Sequence, residues 1–135
     1  MFSGKRPENL GVNDGKLAPC PSSPNCVSSQ SPSSDATHFI ESLIYKSDSD
    51  KALSDLKNVI NSLERTKIIT ETDNYLYAEF KSALMGYVDD VEFYVNSSKN
   101  NIDVRSASRL GKSDLGMNRK RIETIREKFE QMQTS

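Results

Sequence analysis

The sequence predicts an α+β fold: a curved antiparallel sheet of about five strands, two helices on one face, and an irregular N-terminal arm. Three observations support this prediction. Several segments alternate apolar and polar residues, as half-buried strands do. Two others repeat apolar residues every three or four positions, as amphipathic helices do. The connections between neighbouring strands are short, which favours antiparallel pairing.

Composition and charge exclude some classes of protein. The 135 residues fit one domain, and 18 basic against 19 acidic residues leave a formal net charge of −1. A dedicated nucleic-acid-binding protein is normally clearly basic, so no nucleic-acid partner is expected. No stretch reaches the ~18 consecutive apolar residues that suggest a membrane span. The first residues lack the apolar run of a secretory signal, so we expect a cytoplasmic protein.

Residues 1–36 are rich in Gly, Pro, Ser and Asn and show no periodicity. We predict an irregular arm over these residues and a single α+β domain over residues 37–135. The arm contains Cys20 and Cys26 among three closely spaced prolines, which restrict the backbone strongly.

The elements of the domain are predicted in order. Residues 38–45 form the first strand, and residues 50–64 form a helix preceded by side-chain oxygens suited to capping. Residues 67–72 and 74–82 form two strands joined by an Asp-Asn turn. Gly86 interrupts the alternation and suggests a bulge or bend. The last helix carries apolar residues at positions 122, 125, 129 and 132 and ends near residue 132.

The segment from Tyr87 to Arg109 predicts a β-hairpin at the centre of the sheet. Val91, Phe93 and Val95 fall on one face of its first strand, and charged residues fall on the other. The second strand repeats this division, so the hairpin has an apolar side and a side of unlike charges.

Four motifs along the chain resemble the domain-of-unknown-function family 1499. They are Leu-Ala-Pro-Cys-Pro-Ser-Ser-Pro-Asn-Cys-Val-Ser-Ser at residues 17–29, Gly-Tyr-Val-Asp-Asp-Val-Glu-Phe at 86–93, Val-Arg-Ser-Ala-Ser-Arg at 104–109, and Asp-Leu-Gly-Met-Asn-Arg-Lys-Arg-Ile at 114–122. The resemblance covers nearly the whole chain. It implies an uncharacterised family, found in bacteria and photosynthetic eukaryotes, in which many members carry an added membrane or export segment. It brings no catalytic signature.

The two cysteines allow several interpretations. Six positions apart, Cys20 and Cys26 are candidates for a small disulfide ring, which would stabilise the fold by roughly 2 kcal/mol. In a reducing compartment they stay thiols that pin the loop. Redox chemistry lacks the usual Cys-x-x-Cys spacing. A zinc site needs two more ligands, and His38 is the only histidine, so we expect no metal and no cofactor.

The polar side of the hairpin is the leading candidate for a binding site. Its predicted residues are Glu79, Asp90, Glu92, Arg105 and Arg109, with Asp89 nearby. A solvated sheet face is the plain alternative, since cross-strand pairs of unlike charge contribute only ~0.2–1 kcal/mol each. Crowded carboxylates favour a binding role, because they repel one another unless a cation lies among them. The arm is available to cover them.

Two further groups of residues bear on function. Asn118 and Arg119, at the start of the last helix, are candidates for binding an anion together with backbone N–H groups. Ser106, Ser108 and Ser113 lack the Gly-x-Ser-x-Gly elbow of a serine hydrolase, and only one histidine is present to act as base.

These features predict a non-catalytic module that binds a protein partner or a small polar ligand. The polar face and the cysteine-bearing arm would form its surface, and the family's range suggests a photosynthetic or other membrane assembly as an alternative setting. The competing hypothesis is a small enzyme that uses the carboxylate–arginine cluster for acid–base chemistry on a polar metabolite.

Overall fold

The computed structural model describes residues 4–83, 86–111 and 114–134. Its strands are β1 (Cys26–Ser28), β2 (Leu43–Ile44), β3 (Thr66–Glu71), β4 (Tyr75–Lys81), β5 (Val88–Asn96) and β6 (Asn101–Ser108). Its helices are α1 (Ser49–Asn61) and α2 (Met117–Gln133). The α+β prediction is confirmed, with six strands in the sheet. Ser113 lies outside the described residues.

The sheet is antiparallel throughout, in the order β1-β6-β5-β4-β3. The central pair is the predicted hairpin, in which Val91 lies opposite Ser106 and Phe93 opposite Val104. Strand β2 shares the outer edge of β6 with β1, pairing with residues Asn101 and Ile102. Gly86 lies in the connection before β5 with φ +72°, the left-handed conformation that glycine adopts without strain. The irregularity in strand pairing lies instead in β3, whose register with β4 shifts between Ile68 and Thr70.

The predicted strand over residues 38–45 is wrong for most of its length. Only Leu43–Ile44 pairs with β6, because β1 already occupies the edge of β6 from Arg105 to Ala107. Residues 38–40 instead bond to Ser28, which donates its N–H to the His38 carbonyl at 2.7 Å. The sequence did not predict β1, which lies inside the segment expected to be irregular.

Both helices pack on one face of the sheet. Helix α1 begins where Asp48 accepts a hydrogen bond from the Lys51 N–H at 2.7 Å, the cap expected from the sequence. It ends at Asn61, three residues before the predicted end. The core between helices and sheet is formed by buried apolar residues from both layers, including Leu56, Ile60, Leu76, Val91, Phe93, Ile102, Val104, Ile122, Ile125 and Phe129.

Within the described residues, neither helix combines the length and apolar content that crossing a bilayer requires.

Candidate functional site

The face of the sheet that points away from the helices is polar, as predicted. Its side chains are Tyr75, Tyr77 and Glu79 from β4, Asp90, Glu92 and Tyr94 from β5, and Asp103 and Arg105 from β6. The register places Glu79 opposite Asp90, and Glu92 opposite Arg105. Arg109 follows β6 and joins the same face. The structure therefore brings together the five charged residues that the sequence assigned to one side of the sheet.

The N-terminal arm covers this face. Gly11 donates its N–H to Glu92 Oε2 at 2.7 Å, and the Pro19 carbonyl accepts from Arg105 Nη2 at 3.3 Å. Farther along, Gln30 holds the arm by accepting from the Leu17 N–H at 2.7 Å. As a result Asp90 and Glu92 are only 1% and 0% exposed.

Arg109 organises the first half of the polar face. Its guanidinium donates to both carboxylate oxygens of Asp90, at 2.9 and 2.8 Å, and to Glu79 Oε2 at 2.5 Å. The Tyr77 hydroxyl donates to Asp90 at 2.5 Å. Burial, and then the bond to Asp90, raise the pKa of Tyr77 far above its ordinary value. The cluster therefore holds a neutral phenol and an arginine between two carboxylates.

Glu79 extends this cluster to the open end of the face. Arg6 from the arm donates to Glu79 Oε2 through Nε and Nη2, at 2.9 and 2.7 Å, and lies over the Tyr77 ring at 6.0 Å from its centroid. Burial alone would raise the pKa of Glu79, but the bonds from Arg6 and Arg109 outweigh it and hold that pKa below its ordinary value. Glu79 is therefore a stably ionised bridge between arm and sheet.

Glu92 and Arg105 form a looser pair. Glu92 Oε1 lies 3.9 Å from Arg105 Nη1, and Glu92 Oε2 accepts from the Tyr75 hydroxyl at 2.5 Å. Glu92 Oε1 and Arg105 Nε have no hydrogen-bond partner among the described residues. Burial lowers the pKa of Arg105, and Glu92 opposes this. The Glu92–Arg105 pair is held by electrostatic attraction and by the hydrogen bonds that each side chain forms with neighbouring residues.

Asp89 does not join the polar face. Its position in the alternation turns it to the helix side, where its Oδ2 lies 2.8 Å from Arg121 Nη1. Burial raises the pKa of Asp89, and Arg121 offsets this only in part. Asp89 therefore belongs to the contact between β5 and α2.

Asn118 and Arg119 are also away from the polar face. Asn118 Oδ1 accepts from the Ser106 hydroxyl at 2.6 Å, while its Nδ2 donates to the Ser108 hydroxyl at 2.9 Å. Arg119 donates to two backbone carbonyls, of residues 36 and 37, at 3.2 and 3.3 Å. Asp114 accepts the N–H groups of residues 116 and 118 at the helix start, both at 2.9 Å. The Asp114 carboxylate therefore accepts hydrogen bonds from backbone N–H groups that were expected to bind an external anion.

Cys20 and Cys26 are joined by a disulfide with an S–S distance of 2.06 Å. Cys26 lies in β1 opposite Ala107, and the bridge ties the arm to that strand. The ring is also anchored beyond β6, since Asn25 accepts from the Ser108 N–H at 3.0 Å and donates to the Gly111 carbonyl at 2.8 Å.

His38 holds the same ring from the other side. Its Nδ1 lies 2.7 Å from Asp35 Oδ2, and its Nε2 lies 2.9 Å from the Ser23 carbonyl oxygen. Both partners are acceptors, so both ring nitrogens carry protons in this geometry. The Ser23 carbonyl and then Asp35 raise the pKa of His38 above its ordinary value. The histidine is thus a charged clamp on the loop, a role that no local sequence signal identified.

A cleft of about 550 Å³ opens at the end of the polar face. It is lined by Arg6, Arg65, Thr66, Lys67, Glu79, Lys81, Val88 and Arg109. Sequence reasoning found only Glu79 and Arg109 of this set. Lys81 had a usable signal, because it shares the alternation of Glu79 along β4. Lys67 joins the same face through its pairing in β3 opposite Glu79, which only the register shows. Arg6 and Arg65 had none, since only the folded chain brings them there.

Within the three described ranges, no three His, Cys, Asp or Glu side chains are grouped so that they could bind a metal ion.

Comparisons with known proteins agree with the motifs. A family model described as a protein of unknown function (DUF1499) matches residues 16–129. No curated protein matches the chain. Because the family model spans most of the sequence, the chain belongs to the DUF1499 family.

Proposed function

We propose that this protein is a non-catalytic binding module and that its binding site is the basic cleft at the end of the polar face. The cleft would take an anionic group, a carboxylate or a phosphate, presented by a partner or carried by a small polar ligand. The observation that carries the proposal is the convergence of five cationic side chains, Arg6, Arg65, Lys67, Lys81 and Arg109, on one cleft that contains a single carboxylate.

The rest of the polar face supports the cleft without offering a site of its own. Asp90 and Glu92 lie under the arm, and their main partners are neighbouring side chains and the arm backbone. Arg109 is held rigidly by Asp90 at the floor of the cleft. Its Nε and Nη2 already donate to Asp90, Glu79 and Tyr77, so Arg109 would contribute positive charge to the cleft while the more exposed cations contact the anion.

The cations at the mouth of the cleft are accessible. The side chains of Arg6 and Arg65 are 53% and 48% exposed. Lys67 and Lys81 are exposed as well, and neither forms an ion pair with any residue in the described part of the chain. Arg6 and Arg65 are paired with Glu79 and Glu64, so Lys67 and Lys81 are the charges that an anionic ligand would mainly neutralise.

The competing hypothesis of acid–base catalysis has less support. It requires a carboxylate or a histidine that can reach a substrate. Asp90 and Glu92 are covered by the arm, and both nitrogens of His38 are engaged by Asp35 and Ser23. Glu79 lines the cleft, but Arg6 and Arg109 bind it and hold its pKa low, which makes it a poor proton acceptor. A cytoplasmic location and a role in a photosynthetic or other membrane assembly stay predictions.

Titration with inorganic pyrophosphate tests the proposal. We expect the amide chemical shifts of residues 65–67, 81, 88 and 109 to change in a saturable way that weakens with added salt. The variant Lys67→Glu/Lys81→Glu should bind about tenfold more weakly, or worse, which corresponds to ~1.4 kcal/mol.

The matched control is Lys99→Glu/Lys128→Glu, which makes the same change in net charge at exposed positions away from the cleft. It should bind nearly as well as the unmodified protein. Equal binding by the cleft variant and the unmodified protein would reject the cleft as the site.

A further inference from the structure

We propose that the end of the molecule carrying the basic cleft docks on an anionic membrane surface, with lipid phosphates at the cleft and apolar side chains inserted beside it. This inference rests on the proposed function, because it identifies the source of the anionic group.

The relevant end is defined by the antiparallel register. Lys81 ends β4 opposite Val88, which begins β5, and Ser108 ends β6 opposite Asp89. The start of α2 is nearby, since Asn118 donates to the Ser108 hydroxyl at 2.9 Å. The ends of β4 and β6, the start of β5 and the start of α2 therefore meet at one end of the sheet. We call it the cleft end.

The exposed apolar side chains are concentrated at the cleft end. Tyr87, Leu110 and Met117 are 41%, 43% and 50% exposed, and Leu115 is 96% exposed. The remaining exposed large apolar residue of the described chain, Ile44, pairs with Asn101 at the opposite end of β6. Exposed apolar side chains grouped in this way indicate an interaction surface more strongly than scattered ones do.

The exposed charge at this end favours an anionic partner. The carboxylates at this end are already matched, the partly buried Glu79 by Arg109 at 2.5 Å and the buried Asp89 by Arg121 at 2.8 Å. The exposed Glu64 lies 3.0 Å from Arg65. Asp114 accepts hydrogen bonds from the start of α2, which hold its pKa low although burial alone would raise it.

Lys67 and Lys81 are left to face an external charge. Lysines near an anionic bilayer are attracted to it, and the attraction falls within a Debye length.

The arrangement of the two kinds of residue favours a bilayer over a protein. Protein interfaces place apolar residues at the centre and charges at the rim. Here the cations line the cleft, and the exposed Tyr87, Leu110 and Leu115 lie outside its lining, next to β5, β6 and α2 at the same end. Exposed aromatic and apolar side chains that share one end of a molecule with cations suit the membrane interface. A second copy of the chain is disfavoured, because two basic clefts repel.

Vesicle co-sedimentation of the full chain tests the inference. We expect the protein to sediment with vesicles of phosphatidylglycerol and phosphatidylcholine, and to remain in solution with phosphatidylcholine alone. The variant Leu115→Ser/Met117→Ser should reduce the affinity for anionic vesicles about tenfold, because it removes the inserted apolar surface. Both positions are exposed, so the fold should survive. Ile44→Ser, at the opposite end, is the matched control and should bind normally.

The outcomes separate this inference from the proposed function. Pyrophosphate binding without vesicle binding overturns membrane docking and leaves the cleft intact as a site for a free phosphate or an acidic protein. Vesicle binding unaffected by Leu115→Ser/Met117→Ser also overturns it, because adsorption would then depend on charge alone. Pyrophosphate binding unaffected by Lys67→Glu/Lys81→Glu instead overturns the proposed function.

Discussion

At the scale of single residues, Arg109 has the strongest influence on the polar face. It is 7% exposed at its side chain and satisfies both Asp90 oxygens and Glu79. A buried ion pair of this kind adds little net stability over apolar residues, but removing one partner leaves a buried charge uncompensated. The Glu92–Arg105 pair, with its 3.9 Å separation, depends less on direct contact.

Arg109→Met should therefore destabilise the protein by about 3–5 kcal/mol, because the Asp90 carboxylate loses its only cationic partner within hydrogen-bonding distance among the described residues. Urea unfolding followed by circular dichroism measures this loss. Arg119→Met removes an arginine that donates to two backbone carbonyls at the surface, and it should change the free energy of unfolding by less than ~1 kcal/mol. Similar losses for the two variants would contradict the importance of the buried cluster.

At the scale of elements, the arm is stabilised by β1 and by the disulfide. β1 has only three residues and pairs with β6 along one edge, so its hydrogen bonds alone would hold the arm weakly. The Cys20–Cys26 bridge closes a short ring between the covering segment and the strand. Its main effect is to reduce the conformations available to the unfolded arm.

We expect Cys20→Ser/Cys26→Ala to reduce the free energy of unfolding by roughly 2 kcal/mol, the chain-entropy estimate for so short a ring. Thermal unfolding with and without a thiol reductant measures the effect. The reductant should lower the melting temperature of the unmodified protein to near that of the variant. It should leave the melting temperature of the variant unchanged. Equal melting temperatures for the variant and the unmodified protein would mean that the ring contributes nothing to stability.

At the scale of the whole molecule, the sheet is covered on both faces, by helices on one side and by the arm on the other. Several titratable groups stabilise these contacts in one protonation state only. Hydrogen bonds hold the pKa values of Glu79 and Asp114 low against the opposing effect of burial, and the bond from His38 lowers that of Asp35. The pKa of His38 is raised. The overall stability should therefore depend on pH.

The linkage between proton binding and folding gives the direction in which each group changes the stability with pH. Lowered pKa values make the three carboxylates stabilising above about pH 4, and this contribution is lost as the pH falls through their folded values. The raised pKa of His38 makes it stabilising below its ordinary value of 6.5, and the contribution is lost as the pH rises through its folded value. Burial raises the pKa of Asp89, so Asp89, like His38, favours folding in its protonated form, and this contribution is lost as the pH rises through its folded value.

Melting temperatures measured from about pH 3 to pH 9 should accordingly fall at both ends of the range. His38→Asn should remove most of the decline above neutral pH and leave the acid decline unchanged. If the variant retains the full alkaline decline, His38 does not carry the charge assigned to it.

The residue pattern alone predicts the division of the sheet into two faces and the apolar stripes of both helices. These follow from strand and helix periods, which are local properties of the residue pattern. The polar set from Glu79 to Arg109 was therefore found, although the same alternation also turned Asp89 to the helix side.

The cover of the polar face and the set of residues that meet at its end depend on how the whole chain packs. The pairing of Gly11 with Glu92 joins positions 81 apart in the chain, and Arg6 meets Glu79 across 73 positions. Such contacts leave no local pattern, because they depend on where the arm is held after β1 and the disulfide form. The basic cleft is a product of this long-range packing, and neither the arm nor the sheet forms it alone.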